Sequence, residues 1–76
     1  MHLSNITRAE RAQAALQSYV EAKGEVFENS SSEIADLIAD LLHHAVWVAE
    51  GENPAESALR LARLHFEAEQ DDPEEE

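Results

Sequence analysis

Carboxylate and imidazole side chains recur at helical spacing in the middle of the chain. Asp36 and Asp40 are four residues apart, and His43 and His44 follow three and four residues after Asp40. Side chains at this spacing share one face of a helix, and carboxylates and imidazoles together can bind a divalent metal ion. Any acidic helix with two histidines produces the same spacing, so we predict neither a metal nor another cofactor here.

The sequence also lacks the motifs that would accompany these residues in an active site. It contains no Ser-His-Asp arrangement, no glycine-rich phosphate loop and no paired cysteine motif. We therefore predict that the protein binds a partner and is not an enzyme.

The same helical face contains Trp47, the only tryptophan of the chain. Tryptophan is usually largely buried, which would place the ring against the first helix or a second copy of the chain. A tryptophan ringed by charges is also typical of a binding hot spot that meets arginine or lysine of a partner. The face predicted to bind a partner consists of Glu33, Asp36, Asp40, His43, His44, Trp47 and Glu50.

The charge balance is strongly acidic. Five Lys and Arg oppose seventeen Asp and Glu, for a formal net charge of −12. This charge disfavours direct binding to nucleic acid or an anionic membrane and favours a basic protein surface as partner. Seven of the acids follow residue 66, and residues 70–76 are predicted to form an acidic, disordered tail.

The apolar runs are far shorter than the ~20 residues of a membrane span, and the N-terminus lacks the pattern of a signal peptide. We therefore expect a cytoplasmic protein. The sequence contains no cysteine, so disulfides and thiolate metal sites cannot stabilise it. Stability is expected to come from helix packing or association.

The pattern of apolar residues predicts an all-α fold. No strand-length alternation occurs, and Gly24 and Gly51 follow apolar-periodic stretches, where helices commonly end. Residues 1–69 are predicted to form one small three-helix domain. Its helices are expected at about residues 8–23, 31–50 and 54–69.

Each predicted helix has a residue suited to cap its N-terminus. Thr7 is expected to cap the first helix, and Ser30 with Glu33 has the spacing of a capping box for the second. Asn53 can cap the third helix, with Pro54 at the first helical position.

The second and third helices are predicted to pair as an antiparallel hairpin, because only residues 51–53 separate them. Both have wider apolar arcs than one neighbouring helix can cover, and we therefore expect a homodimer. The alternative is a monomer in which the first helix and the pair Val26-Phe27 cover the core. The first helix offers a thin apolar face: Ala12, Leu16, Tyr19 and Val20.

Two segments, Asp36–His43 and Ala58–Glu69, resemble parts of short acidic proteins carried by proteobacterial phages, plasmids and integrative elements. The resemblance covers residues 33–69 and implies an origin in a mobile genetic element. Small acidic proteins of such elements often act against host defence. This chain is similar to anti-CRISPR proteins and other DNA mimics in size and charge.

A second resemblance concerns Glu33-Ile34-Ala35-Asp36, which is similar to the Glu-x-x-Asp motif of all-α nucleoside triphosphate pyrophosphohydrolases. In that family the motif binds magnesium together with an earlier pair of glutamates. The first helix of this chain departs from the pattern, since it offers only Glu10 and Glu21.

These observations predict a small acidic helical protein of a mobile element that docks on a basic protein surface. The resemblance extends this to inhibition of a host defence nucleoprotein complex, for example at its nucleic-acid channel. The alternatives are a metal-binding protein distantly like the pyrophosphohydrolases, or a small regulatory or assembly protein of the element.

Overall fold

The computed structural model describes residues 4–48 and 51–71, and within them it contains helices but no strands. Three α-helices of 18 residues follow one another: α1 Asn5–Ala22, α2 Ser31–Val48 and α3 Pro54–Asp71. The predicted all-helical domain with three helices is confirmed. None of the helices in the described residues is long and apolar enough to cross a membrane.

Helix α1 begins three residues before its predicted start, and the predicted cap at Thr7 is wrong. Ser4 is the N-cap, because its Oγ accepts a hydrogen bond from the backbone N–H of Thr7 at 3.1 Å. The Ser4 carbonyl accepts the first helical bond, from the N–H of Arg8 at 3.1 Å. Ser and Thr are both good N-caps, so local sequence does not distinguish the two positions.

Gly24 follows the end of α1, as predicted, and adopts the left-handed conformation with φ of +79°. Its N–H bonds the carbonyl of Glu21 at 2.9 Å, and the N–H of Glu25 bonds the carbonyl of Val20 at 3.3 Å. These two bonds form a Schellman motif, which satisfies carbonyls that the helix itself leaves open. Gly51 also has a positive φ, of +107°.

The other predicted boundaries lie close to the observed ones. Helix α2 is described to Val48, and residues 49–50 of its predicted end lie outside the described residues. Helix α3 starts at Pro54 as predicted but continues to Asp71, so the first two residues of the predicted tail are helical. Residues 72–76 lie outside the described part of the chain.

The described residues form two compact units, which divide between Leu37 and Ile38 within α2. In the N-terminal unit, which contains α1 and the start of α2, Leu16 is 5% exposed and Val20 is fully buried. Phe27 is half-buried, whereas Val26 is 82% exposed. The prediction that both residues cover the core is therefore wrong for Val26.

The C-terminal unit contains the rest of α2 and α3. No described side chain from residue 38 to residue 70 is buried, which agrees with the excess of apolar surface predicted for both helices. An apolar groove of about 260 Å³ lies between the two helices. Its lining residues, here called the groove residues, are Ile38, Leu41, Leu42, Ala58, Leu59 and Ala62.

Candidate partner-binding face

Glu33 belongs to the predicted face, but its carboxylate accepts hydrogen bonds from backbone N–H groups of the same chain. Oε1 accepts the backbone N–H of Ser30 at 2.7 Å, and Oε2 accepts the backbone N–H of Glu28 at 2.8 Å. In return, the Ser30 Oγ accepts the backbone N–H of Glu33 at 3.2 Å. This is the capping box predicted from the Ser-x-x-Glu spacing. With 8% of its surface exposed, Glu33 is a capping residue and does not offer its carboxylate to a partner.

These contacts lower the pKa of Glu33. The backbone N–H of Ser30 contributes most, burial of the carboxyl opposes it, and the N–H of Glu28 lowers the pKa further. Because the folded pKa lies below the unfolded one, folding favours the ionised carboxylate. The resulting stabilisation is fully present above the unfolded pKa and is lost as pH falls through the lower, folded pKa.

We expect Glu33→Gln to reduce the acid sensitivity of folding. Urea unfolding from about pH 7 to about pH 3 should show the stability advantage of the wild type over Glu33→Gln shrinking with falling pH. Ser30→Ala is the matched control, expected to cost about 1 kcal/mol at neutral pH while keeping most of the acid sensitivity. A difference between wild type and Glu33→Gln that stays constant down to the lowest pH would contradict this assignment.

Asp36 lies at the junction of α1 and α2 in the N-terminal unit. Its Oδ2 is 3.6 Å from the ammonium of Lys23, and its backbone carbonyl accepts the Tyr19 hydroxyl at 3.2 Å. Lys23 also lies 3.4 Å from Glu25 Oε1, with its Nζ 4.7 Å from the centre of the Tyr19 ring. The Asp36 carboxylate is therefore already paired with a cation of the same chain.

The contacts of Lys23 raise its pKa. Burial of the ammonium lowers the pKa of Lys23, but attraction to Glu25, Tyr19 and Asp36 outweighs this and leaves the pKa above its usual value. Two contacts with Asp36 of α2 therefore connect it to the end of α1: the ion pair with Lys23 and the hydrogen bond from Tyr19. Sequence reasoning missed this role of Tyr19 and Lys23, because partners 13 to 17 residues away do not follow from helical spacing.

The remaining described members of the predicted face lie in the C-terminal unit. Trp47 is 83% exposed, the most exposed of the large apolar side chains in the described residues. The rings of His44 and Trp47 meet edge to face, with centroids 6.3 Å apart and an interplanar angle of 72°. Asp40 and His43 are also exposed, one or two turns from Trp47 along the helix. We call Asp40, His43, His44 and Trp47 the tryptophan face.

The predicted set is thus divided by the structure. Glu33 caps a helix and Asp36 pairs with Lys23, whereas Trp47 is largely exposed to solvent. Glu50 lies outside the described residues. Contact of Trp47 with the first helix, a second copy or a partner stays a prediction.

No group of three or more His, Asp or Glu side chains within residues 4–48 and 51–71 is arranged to hold a metal ion. The tryptophan face combines one exposed indole ring with one carboxylate and two imidazole groups. No protein-family model, curated protein or solved structure matches the chain.

Proposed function

We propose that this protein is a non-catalytic helical binding protein that docks on a basic protein surface through its tryptophan face. The exposure of Trp47 is the observation that carries the proposal. An indole presents roughly 150–250 Å² of surface, so leaving most of it in water forgoes about 3–5 kcal/mol of gross burial energy. A partner that covers the ring recovers this energy, which is why exposed tryptophans are frequent binding anchors.

The charge of the chain supports a basic partner. With a net charge of −12, the protein repels other acidic surfaces and attracts basic ones over distances of about a Debye length. At contact, an arginine or lysine can lie over the indole ring and gain cation–π attraction, and the net negative charge of the chain adds to it. The long-range charge speeds the encounter, and Trp47 prolongs the complex.

The resemblance to proteins of mobile elements, together with size and charge, supports a defence complex as the target. A basic nucleic-acid channel is a surface that an acidic helical protein can occupy in place of nucleic acid. We propose an origin in a mobile genetic element and inhibition of this kind. A regulatory or assembly role within the element would use the same face with a different partner.

The proposal includes an antiparallel hairpin of α2 and α3 and a homodimer. The shared groove residues and the short stretch of sequence between Val48 of α2 and Pro54 of α3 support the hairpin. The exposed apolar side chains of the C-terminal unit support association with a second copy.

The pyrophosphohydrolase-like alternative is weakened, because the Glu33 carboxylate already accepts hydrogen bonds from two backbone N–H groups.

Parallel affinity purification from the bacterial host, with wild type and Trp47→Ala as baits, tests the proposed function. We expect a basic protein to be retained by the wild type and lost from Trp47→Ala. Because Trp47 is the only tryptophan, titration with that purified protein should also shift the indole emission, and added salt should weaken the complex. Identical recovery on both baits, or an acidic partner, would argue against the tryptophan face as the docking site.

A further inference from the structure

The C-terminal unit exposes apolar side chains and buries none among its described residues. Its two helix segments contain no buried side chain among residues 38–48 and 51–70, and the groove residues Ile38, Leu41 and Leu59 are 45%, 55% and 37% exposed. Isolated helices of this length are marginal in water, and most helical stability in proteins comes from packing of an apolar face. Something must cover this groove for the unit to be stable.

We infer that a second copy of the chain covers the groove, with Leu41 near the centre of a symmetric interface. This inference deepens the homodimer of the proposed function by naming the surface that forms it. The groove and the tryptophan face are different parts of the unit, since none of the four tryptophan-face residues lines the groove. A dimer formed through the groove therefore leaves Trp47 accessible to another protein.

The amount of exposed apolar surface fits a protein–protein interface. Eight large apolar side chains of the C-terminal unit other than Trp47 are between 37% and 60% exposed. Together they present roughly 300–550 Å², taking roughly 60–120 Å² for an aliphatic side chain and somewhat more for an aromatic one. A stable interface takes about 800 Å² from each partner, of which somewhat over half is apolar. The eight are Ile38, Leu41, Val46, Val48, Leu59, Leu61, Leu64 and Phe66.

Charge favours a second copy over a basic protein at this surface. All six groove residues are uncharged and apolar, so the groove offers nothing that would select a basic partner. Two copies meeting here bring no charged groove residues together, although each chain carries −12 overall. Their mutual repulsion is long-ranged and is screened by salt. Self-association should therefore strengthen with salt, whereas binding of a basic protein to the tryptophan face should weaken.

Sedimentation equilibrium over a broad concentration range tests the inference, with Leu41→Glu as the disrupting variant. We expect wild type to be dimeric, with tighter association at about 0.5 M than at about 0.05 M salt. Leu41→Glu should weaken the dimer about 100-fold or more, because a carboxylate would be buried without a partner. Ala39→Glu is the matched control: Ala39 is exposed on the same helix, does not line the groove and is not one of the eight interface side chains, so its dimer should persist.

A second measurement keeps the test independent of folding. The sequence contains no cysteine, so one can be introduced at Ala62 in the groove or at the exposed Ala39 outside it. A short bis-maleimide should link two copies of Ala62→Cys efficiently and Ala39→Cys poorly. A monomer at high micromolar concentration, or equal linking at both positions, would overturn the inference. A monomer would also contradict the homodimer of the proposed function, whereas equal linking would contradict only the groove as its interface. The role of Trp47 is tested separately by the bait comparison.

Discussion

Leu16→Ala is expected to unfold most of the protein at 25 °C. Leu16 and Val20 are the only buried apolar side chains in the described residues, at 5% and 0% exposure. Truncating a buried leucine to alanine typically costs about 2–5 kcal/mol, from lost burial and from the cavity that remains. A single core in a chain of this length rarely supplies more than about 3–5 kcal/mol. The expected loss is therefore comparable to the whole stability.

Far-UV circular dichroism with urea titration measures this effect. Ile6→Ala is the matched control, because Ile6 lies on the same helix and is 56% exposed. Its replacement should cost less than about 1 kcal/mol, since an exposed side chain leaves no cavity. Equal unfolding midpoints for Leu16→Ala and Ile6→Ala would mean that α1 does not form the core through Leu16.

Trp47→Ala is expected to weaken the complex with the basic partner about 30-fold or more while leaving the fold intact. A hot-spot residue contributes about 2 kcal/mol or more to binding, and each 1.4 kcal/mol corresponds to a factor of ten in affinity. Most of the loss should appear as faster dissociation, because the net charge that guides the encounter is unchanged. At 83% exposure the indole contributes little to packing within the chain.

Surface plasmon resonance with the purified partner would provide both rate constants. Val48→Ala is the control, because Val48 is 57% exposed on the same helix and lies about 100° away from Trp47 around the axis. Its dissociation rate should match that of wild type. If Val48→Ala and Trp47→Ala weakened binding equally, the partner would not recognise the tryptophan face specifically.

The helices could be predicted from sequence because their ends depend on local chemistry. Gly24 adopts positive φ where L-residues with side chains rarely do, and Ser30 with Glu33 closes a capping box within four residues. Pro54 opens α3 because its fixed φ suits a first helical turn. The choice of Ser4 over Thr7 was not predictable, since both side chains can cap and each is followed by helix-compatible residues.

The partner-binding face could be predicted only in part. Helical spacing places Glu33, Asp36 and Trp47 on one stripe of α2, and nothing in that periodicity distinguishes them. The structure distinguishes them: backbone N–H groups before α2 donate to the Glu33 carboxylate, Lys23 at the C-cap of α1 pairs with Asp36, and Trp47 is largely exposed. These differences depend on which elements pack against each turn of α2.

The sequence by itself thus determined the helical class, the positions of the three helices and the excess of acidic charge. Each of these follows from interactions within a few residues or from composition alone. Only the tertiary structure decided which apolar residues form a core, at Leu16 and Val20, and which stay exposed in the groove and at Trp47. Burial depends on contacts between residues that are distant in the chain. The periodicity of apolar residues identifies the apolar face of a helix, but it does not identify which element packs against that face.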